Sequence, residues 1–124
     1  MPDTITFNAL ISVSEKGKRP EQALEIFNEM QQQDIAPNIV TYNALISALE
    51  KGEQPEEALG VFKEMQQHGI VPDVITYNVL LRVLEMGEGG QPEQALQIFK
   101  QMQQQGLVPE VILLVMISAW EKGK

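Results

Sequence analysis

In the middle of the chain, Tyr42, Leu45, Ile46 and Leu49 fall at i, i+3, i+4 and i+7. That spacing lays four apolar side chains along one stripe of an α-helix, and such a stripe must be buried. Val40, Asn43, Ser47 and Glu50 form a separate, more polar face of the same helix. A second helix follows, with Ala58, Val61 or Phe62, and Met65 on one side and Glu56, Lys63, Glu64 and Gln67 turned outward. The small Ala48 and Ala58 permit close helix approach. Between the two helices, Gly52 is expected to close the first by adopting positive φ. Pro55 suits the first turn of the second helix, and Glu56 suits the positive end of its dipole.

The same grammar returns at Gly17, Pro20 and Glu21 and at Gly87, Pro92 and Glu93. In the first copy it predicts helices over 5–16 and 20–33. Residues 39–73 are therefore a 35-residue helical hairpin with near copies at 4–38 and 74–110 and a curtailed fourth at 111–124. A single hairpin cannot bury its apolar faces alone, so neighbours stack, and about three are needed for stability. The chain reads as one repeat domain over residues 1–124. Two extra residues in the third copy fall at the Gly-rich turn Glu88-Gly89-Gly90, where insertion costs little. In the fourth copy one residue is lost, and the Thr-Phe-Asn or Thr-Tyr-Asn of the others becomes Leu113-Leu114-Val115.

Composition narrows the chemistry. With no cysteine there is no disulfide, thiolate metal site or cysteine nucleophile, and one histidine, His68, cannot hold a metal alone. His68 is expected at the surface. No Ser-His-Asp set, phosphate loop or metal cluster is visible, so no catalytic residue, metal or cofactor is assigned. Glu21, Glu25 and Glu29 read as an outer helix face. The longest apolar run, 111–117, has seven residues, far short of the ~18 that a membrane span needs. Seventeen acidic residues against nine basic give a net charge of −8, which argues against strong nucleic-acid affinity, since that rests on phosphate neutralisation. Met1-Pro2-Asp3 has neither type of targeting signal.

One polar recurrence stands out. Asn8, Asn43 and Asn78 return at a single register, although Asn is a poor helix former. An amide offers both a donor and an acceptor and can address a base edge, and an aliphatic such as Val40 one turn earlier can pack on a base face. An inter-repeat amide ladder is the structural alternative. Asp3, Asn38 and Asp73 each precede a first helix, where they are expected as N-caps. Phe7, Tyr42 and Tyr77 are spaced as core residues. Lys16 and Lys51 follow Glu15 and Glu50 and read equally well as solvated helix ends, as do the glutamines at 31–33, 66–67 and 103–105.

With its 35-residue hairpins and the segments VTYNALISALEKG (40–52) and EEALGVFKEMQQHGIVPD (56–73), the chain resembles the pentatricopeptide repeat family. The resemblance covers 4–110 well and 111–124 poorly. It implies an all-α fold, a right-handed α-α superhelix (solenoid) of stacked hairpins, and a mitochondrial or chloroplast setting in organelle RNA processing. It also implies binding of single-stranded RNA at roughly one base per repeat. The family reads each base with the fifth and last residues of a repeat. Base recognition is thereby expected from Asn8 with Asn38, which favours cytosine, from Asn43 with Asp73, which favours uracil, and from Asn78 with Glu110. The second residue of a repeat wedges between bases, which assigns Ile5, Val40, Ile75 and Ile112. Lys16 and Lys51 match the family's phosphate contacts, while Met86 stands there in the third repeat. The expected ligand is a short CU-like strand, bound weakly by this short acidic piece of a larger array. A second function class is a protein-interaction or self-associating scaffold. Its basis is the apolar segment with Leu113, Leu114, Met116 and Trp120, which has no partner helix to cover it and invites homodimer formation.

Overall fold

The computed structural model describes residues 3–86 and 92–106. Among them are six α-helices and no strand: α1 (Thr4–Lys16), α2 (Pro20–Gln32), α3 (Ile39–Lys51), α4 (Pro55–Gln67), α5 (Val74–Met86) and α6 (Pro92–Gln104). Each is 13 residues long. The observed elements match the predicted pairs to within a residue at the ends.

The first helix of each pair opens on a polar cap. Asp3 Oδ1 accepts from the Thr6 N–H at 2.9 Å, Asn38 Oδ1 from the Thr41 N–H at 3.1 Å, and Asp73 Oδ1 from the Thr76 N–H at 3.0 Å. In the last two the threonine hydroxyl oxygen accepts the cap's own N–H, at 3.0 and 3.2 Å, which satisfies a second orphan donor reciprocally. The helices α2 and α4 have no side-chain cap and begin on Pro20 and Pro55 instead. Proline has no N–H to leave unpaired there.

Helix closure departs from expectation. Gly17 and Gly52 keep negative φ, −82° and −86°, and the left-handed residues are Lys18 (φ 55°) and Glu53 (φ 59°). The helices run one residue further than the glycines suggest. The chain reverses only after Gly17 N–H has bonded Val13 O at 3.0 Å and Arg19 N–H has bonded Ser14 O at 2.9 Å. Gly52 is needed for space instead: a Cβ there would lie 2.4 Å from Pro20 Cγ, so this turn closes directly on the preceding hairpin.

The chain forms two compact units, Met1–Val71 and Pro72–Lys124. In the first, α1 packs against α2 and α3, α2 also touches α3, and α3 packs against α4. Tyr42, Leu45, Ile46 and Leu49 are buried, as their stripe predicts, together with Ile11, Met30, Ala58 and Met65. Full burial of each such aliphatic or Met side chain is worth about 1.5–3 kcal/mol. The Phe27 and Tyr42 rings meet edge to face, with centroids 5.6 Å apart at 64°. Glu64, expected to point outward, is half-buried, and its Oε2 is enclosed without a hydrogen-bond partner among the described residues. Its turn of α4 faces the Tyr42 phenol. Burial, and then the Glu64 charge, hold that phenol above its ordinary pKa.

In the second unit α5 packs against α6, with Tyr77, Leu80, Leu84 and Met102 buried. Gln105 is exposed, as expected of a solvated helix end, and it is also hydrogen-bonded. Its Oε1 accepts from the Tyr77 hydroxyl and its Nε2 donates to Pro72 O at 3.0 Å, tying the end of α6 to the entry of α5. Leu113, Leu114, Met116 and Trp120, the expected self-association residues, lie outside the described residues.

Candidate nucleic-acid interface

The packing of α1 on α3 brings the fifth residue of one repeat against the cap of the next. Thr4 Oγ1 donates to Ala36 O at 3.0 Å, which holds the start of α1 to the segment leading into α3. One turn further on, Asn8 Nδ2 donates to Asn38 Oδ1 at 3.2 Å, and Thr41 Oγ1 donates to Asn8 Oδ1. Asn38 Oδ1 also receives the Thr41 N–H. The first expected base-reading pair is therefore assembled, with Asn38 exposed and Asn8 half-buried. Capping and base reading are compatible in Asn38, because the cap uses its oxygen and leaves its NH2 on the other side.

The other pairs are described residue by residue. Asn43 is half-buried on α3, in the first unit. Asp73 caps α5 in the second, taking both the N–H and the hydroxyl of Thr76, the latter at 3.0 Å. Asn78 is half-buried on α5, and its Oδ1 is enclosed with no hydrogen-bond partner among the described residues. Glu110 and Ile112 lie outside the described residues.

Ile5, Val40 and Ile75 are 78%, 55% and 60% exposed. Each sits in the first turn of its helix, three places before the recurring Asn. A single exposed aliphatic is ordinary; three at one register form a repeated apolar feature.

The two lysines differ. Lys16 is exposed at the end of α1. Lys51 Nζ lies 2.7 Å from Glu15 Oε2, an oxygen that also accepts from Ser47 Oγ at 2.9 Å. Lys51 thus links the first two hairpins. At the start of the series, Asp3 is exposed, and its carboxyl is held below the ordinary range by the Thr6 N–H and then the Thr6 hydroxyl.

Sequence reasoning missed Thr41 and Glu15. The signal for the first was present: a threonine stands two places before each recurring Asn, at Thr6, Thr41 and Thr76. Nothing marked Glu15, because its partner lies a full repeat away. Among the described residues no group of three His, Cys, Asp or Glu is placed to hold a metal, and no helix is long and apolar enough to cross a membrane.

Comparison with known proteins bears on this arrangement. The model of the PPR repeat family matches residues 2–51 and again 37–86, and the PPR repeat model matches 75–107. The crystal structure of the pentatricopeptide repeat protein PPR10 from maize is similar with a TM-score of 0.75 and 28% identity, over 97% of this chain and 17% of that one. The structure of PPR10 in complex with an 18-nt psaJ RNA element is similar at 0.62 and 24% identity, over 99% of this chain and 23% of that one. This chain thus spans less than a quarter of either. No curated protein sequence matches it significantly. The structural likeness establishes the all-α helical-repeat fold that the hairpin pattern predicts. With family models matched across all three hairpins, the chain belongs to the PPR repeat family.

Proposed function

We propose that this chain is a single-stranded RNA-binding module that addresses about one base per repeat, with Asn8 and Asn38, Asn43 and Asp73, and Asn78 with Glu110 as the base-reading pairs. The observation that carries the reading is the Asn8–Asn38 pair. Its two amides meet across the α1–α3 packing, beside the exposed aliphatics Ile5 and Val40. The family supports the ligand class, since the similar maize PPR10 has been crystallised with an RNA element.

Polarity gives the preference a chemical basis. With Asn38 Oδ1 engaged by Asn8 and Thr41, its NH2 is the end left to meet a ligand. Two donors suit the acceptor edge of cytosine, N3 and O2, and clash with the N3–H of uracil. Asp73 is a carboxylate and can only accept, which suits the uracil N3–H. Ile5, Val40, Ile75 and Ile112 are the proposed wedges, and Lys16 and Lys51 the proposed phosphate ligands. Lys51 would have to leave or share Glu15 to reach a strand.

Stacking contributes about 1–3 kcal/mol per base in single-strand binders. Three slots less association costs give roughly micromolar to millimolar affinity, weakened further by the net charge of −8. The test is titration with a short strand containing CU at low salt, beside an equally long strand of A. Weak binding that prefers CU and is reduced in Asn43→Ala is expected. Tight binding without preference, or binding untouched by Asn43→Ala, contradicts the proposal. An organellar setting follows from the family alone.

Self-association is the second reading, and one observation favours it. Leu10 and Val13 on α1 are 46% and 68% exposed, an apolar surface separate from the Leu113, Leu114, Met116 and Trp120 segment, which lies outside the described residues. Light scattering decides it: growth of mass with concentration supports association, and a monomer at high concentration removes it.

A further inference from the structure

Thr41 is fully buried in the first turn of α3 and makes more contacts than capping requires. Its N–H donates to Asn38 Oδ1 at 3.1 Å, its Oγ1 accepts from the Asn38 N–H at 3.0 Å, and its hydroxyl donates to Asn8 Oδ1, with Asn38 Oδ1 a second acceptor 3.2 Å away. These bonds fix how both amides are turned. The backbone N–H of Thr41 can only donate, so Asn38 must point its oxygen inward. That oxygen can only accept, so Asn8 must present its NH2 to it. Asn8 Oδ1 is then left facing Thr41, and the hydroxyl supplies the donor it needs. Turning either amide over sets donor against donor or acceptor against acceptor. One arrangement satisfies all the groups, and it leaves the NH2 of Asn38 outward.

The third repeat supplies a contrast. Thr6, Thr41 and Thr76 hold one register in successive repeats, and the residue at that register in the fourth is Leu113, which has no hydroxyl. Asn78 Oδ1 is enclosed without a hydrogen-bond partner among the described residues.

We infer that Thr41 is a positioning residue that sets which base the Asn8–Asn38 slot accepts, by holding the two amides so that the NH2 of Asn38 is the group turned to the ligand. This rests on the slot being a base-reading pair. A ligand with acceptors on its pairing edge, a cytosine, fits the locked form. Without the hydroxyl, Asn8 Oδ1 loses its donor and the Asn8 side chain loses its anchor on α3, so it can swing away from Asn38 Oδ1 and the slot then offers acceptor oxygens as well as NH2 groups.

The experiment compares the full chain with Thr41→Val, Thr41→Ser and Thr41→Ala, titrating each with two short single strands that differ only by C or U at this slot. Side-chain NH2 resonances of Asn8 and Asn38 are followed by NMR. The unsubstituted chain and Thr41→Ser are expected to prefer C. In Thr41→Val the ratio should fall to within about twofold of unity, and the Asn8 NH2 signals should shift or broaden before any RNA is added. Thr41→Ser against Thr41→Ala keeps the question answerable if Val is not tolerated, because that pair differs by the hydroxyl alone. If the unsubstituted chain discriminates and the hydroxyl-free variants discriminate equally, the role of Thr41 is overturned while the base-reading pair stands. If the unsubstituted chain binds both strands alike, the reading of the slot falls and this inference with it.

Discussion

Lys51 Nζ lies 2.7 Å from Glu15 Oε2, so a lysine proposed to meet phosphate is already engaged by a carboxylate from the preceding hairpin. The lysine is 41% exposed and the glutamate 19%, and an ion pair so open to solvent is worth about 0.2–1 kcal/mol. Glu15→Gln should therefore lower thermal stability only slightly. Binding of a single strand should respond more, rising roughly two- to threefold at low salt and losing that gain as salt is added. Unchanged or weaker binding at low salt would remove Lys51 from the phosphate contacts.

Gly52 and Gly60 make a matched pair of substitutions. A Cβ on Gly52 would lie 2.4 Å from Pro20 Cγ and 2.9 Å from its Cδ, both atoms of a rigid ring. Gly52→Ala must push the two hairpins apart, at a cost of about 1–3 kcal/mol. Gly60 stands inside α4, and a Cβ there meets nothing within 4 Å. Gly60→Ala should stabilise by about 0.5–1 kcal/mol, because alanine is the better helix former. Thermal melts of the two variants should move in opposite directions.

Two groups give stability an opposite dependence on pH. The Asp3 carboxyl is depressed by its cap bonds to Thr6, so its contribution is present above the ordinary carboxylate pKa and is lost as pH falls through the lower folded value. The Tyr42 phenol is raised by burial and then by Glu64. Its protonated form is favoured in the fold, so that contribution is intact below pH ~10 and lost as pH rises through the folded value. Glu64→Gln should bring the tyrosinate absorbance transition of Tyr42 down in pH, and Asp3→Asn should flatten the acid limb of the melt profile while keeping the cap.

Much of this was legible in the sequence because it is local. The Tyr42, Leu45, Ile46, Leu49 stripe and the Pro20 and Pro55 starts depend on residues within a turn or two. So do the caps Asp3, Asn38 and Asp73. What escaped depends on contacts a full repeat apart. Glu15 reaches Lys51, Gly52 meets Pro20, and Asn8 meets Thr41 across the α1–α3 packing, and no single-helix pattern registers such distances. Gln105 is exposed as expected, but its bonds to the Tyr77 hydroxyl and Pro72 O escaped for the same reason, since those partners lie about 30 residues away.

The exposed aliphatics give a stability-neutral probe. Val40 is 55% exposed, so Val40→Ser should leave the melting temperature within about 2–3 °C of the parent, since surface changes usually stay within about 0.5 kcal/mol. If Val40 packs on a base, the same change should weaken RNA binding by about 1 kcal/mol, the scale of one partly buried aliphatic side chain. Equal loss of stability and binding would mark Val40 as structural instead.

The most direct measurement of the central proposal is a base exchange at the first slot. Asn38→Asp keeps a cap oxygen for the Thr41 N–H but replaces the outward NH2 by an acceptor. Titrated at low salt with single strands carrying C or U at that slot, the parent should prefer C and Asn38→Asp should prefer U. A preference that does not move with residue 38, or binding that ignores the base in both chains, would contradict the account.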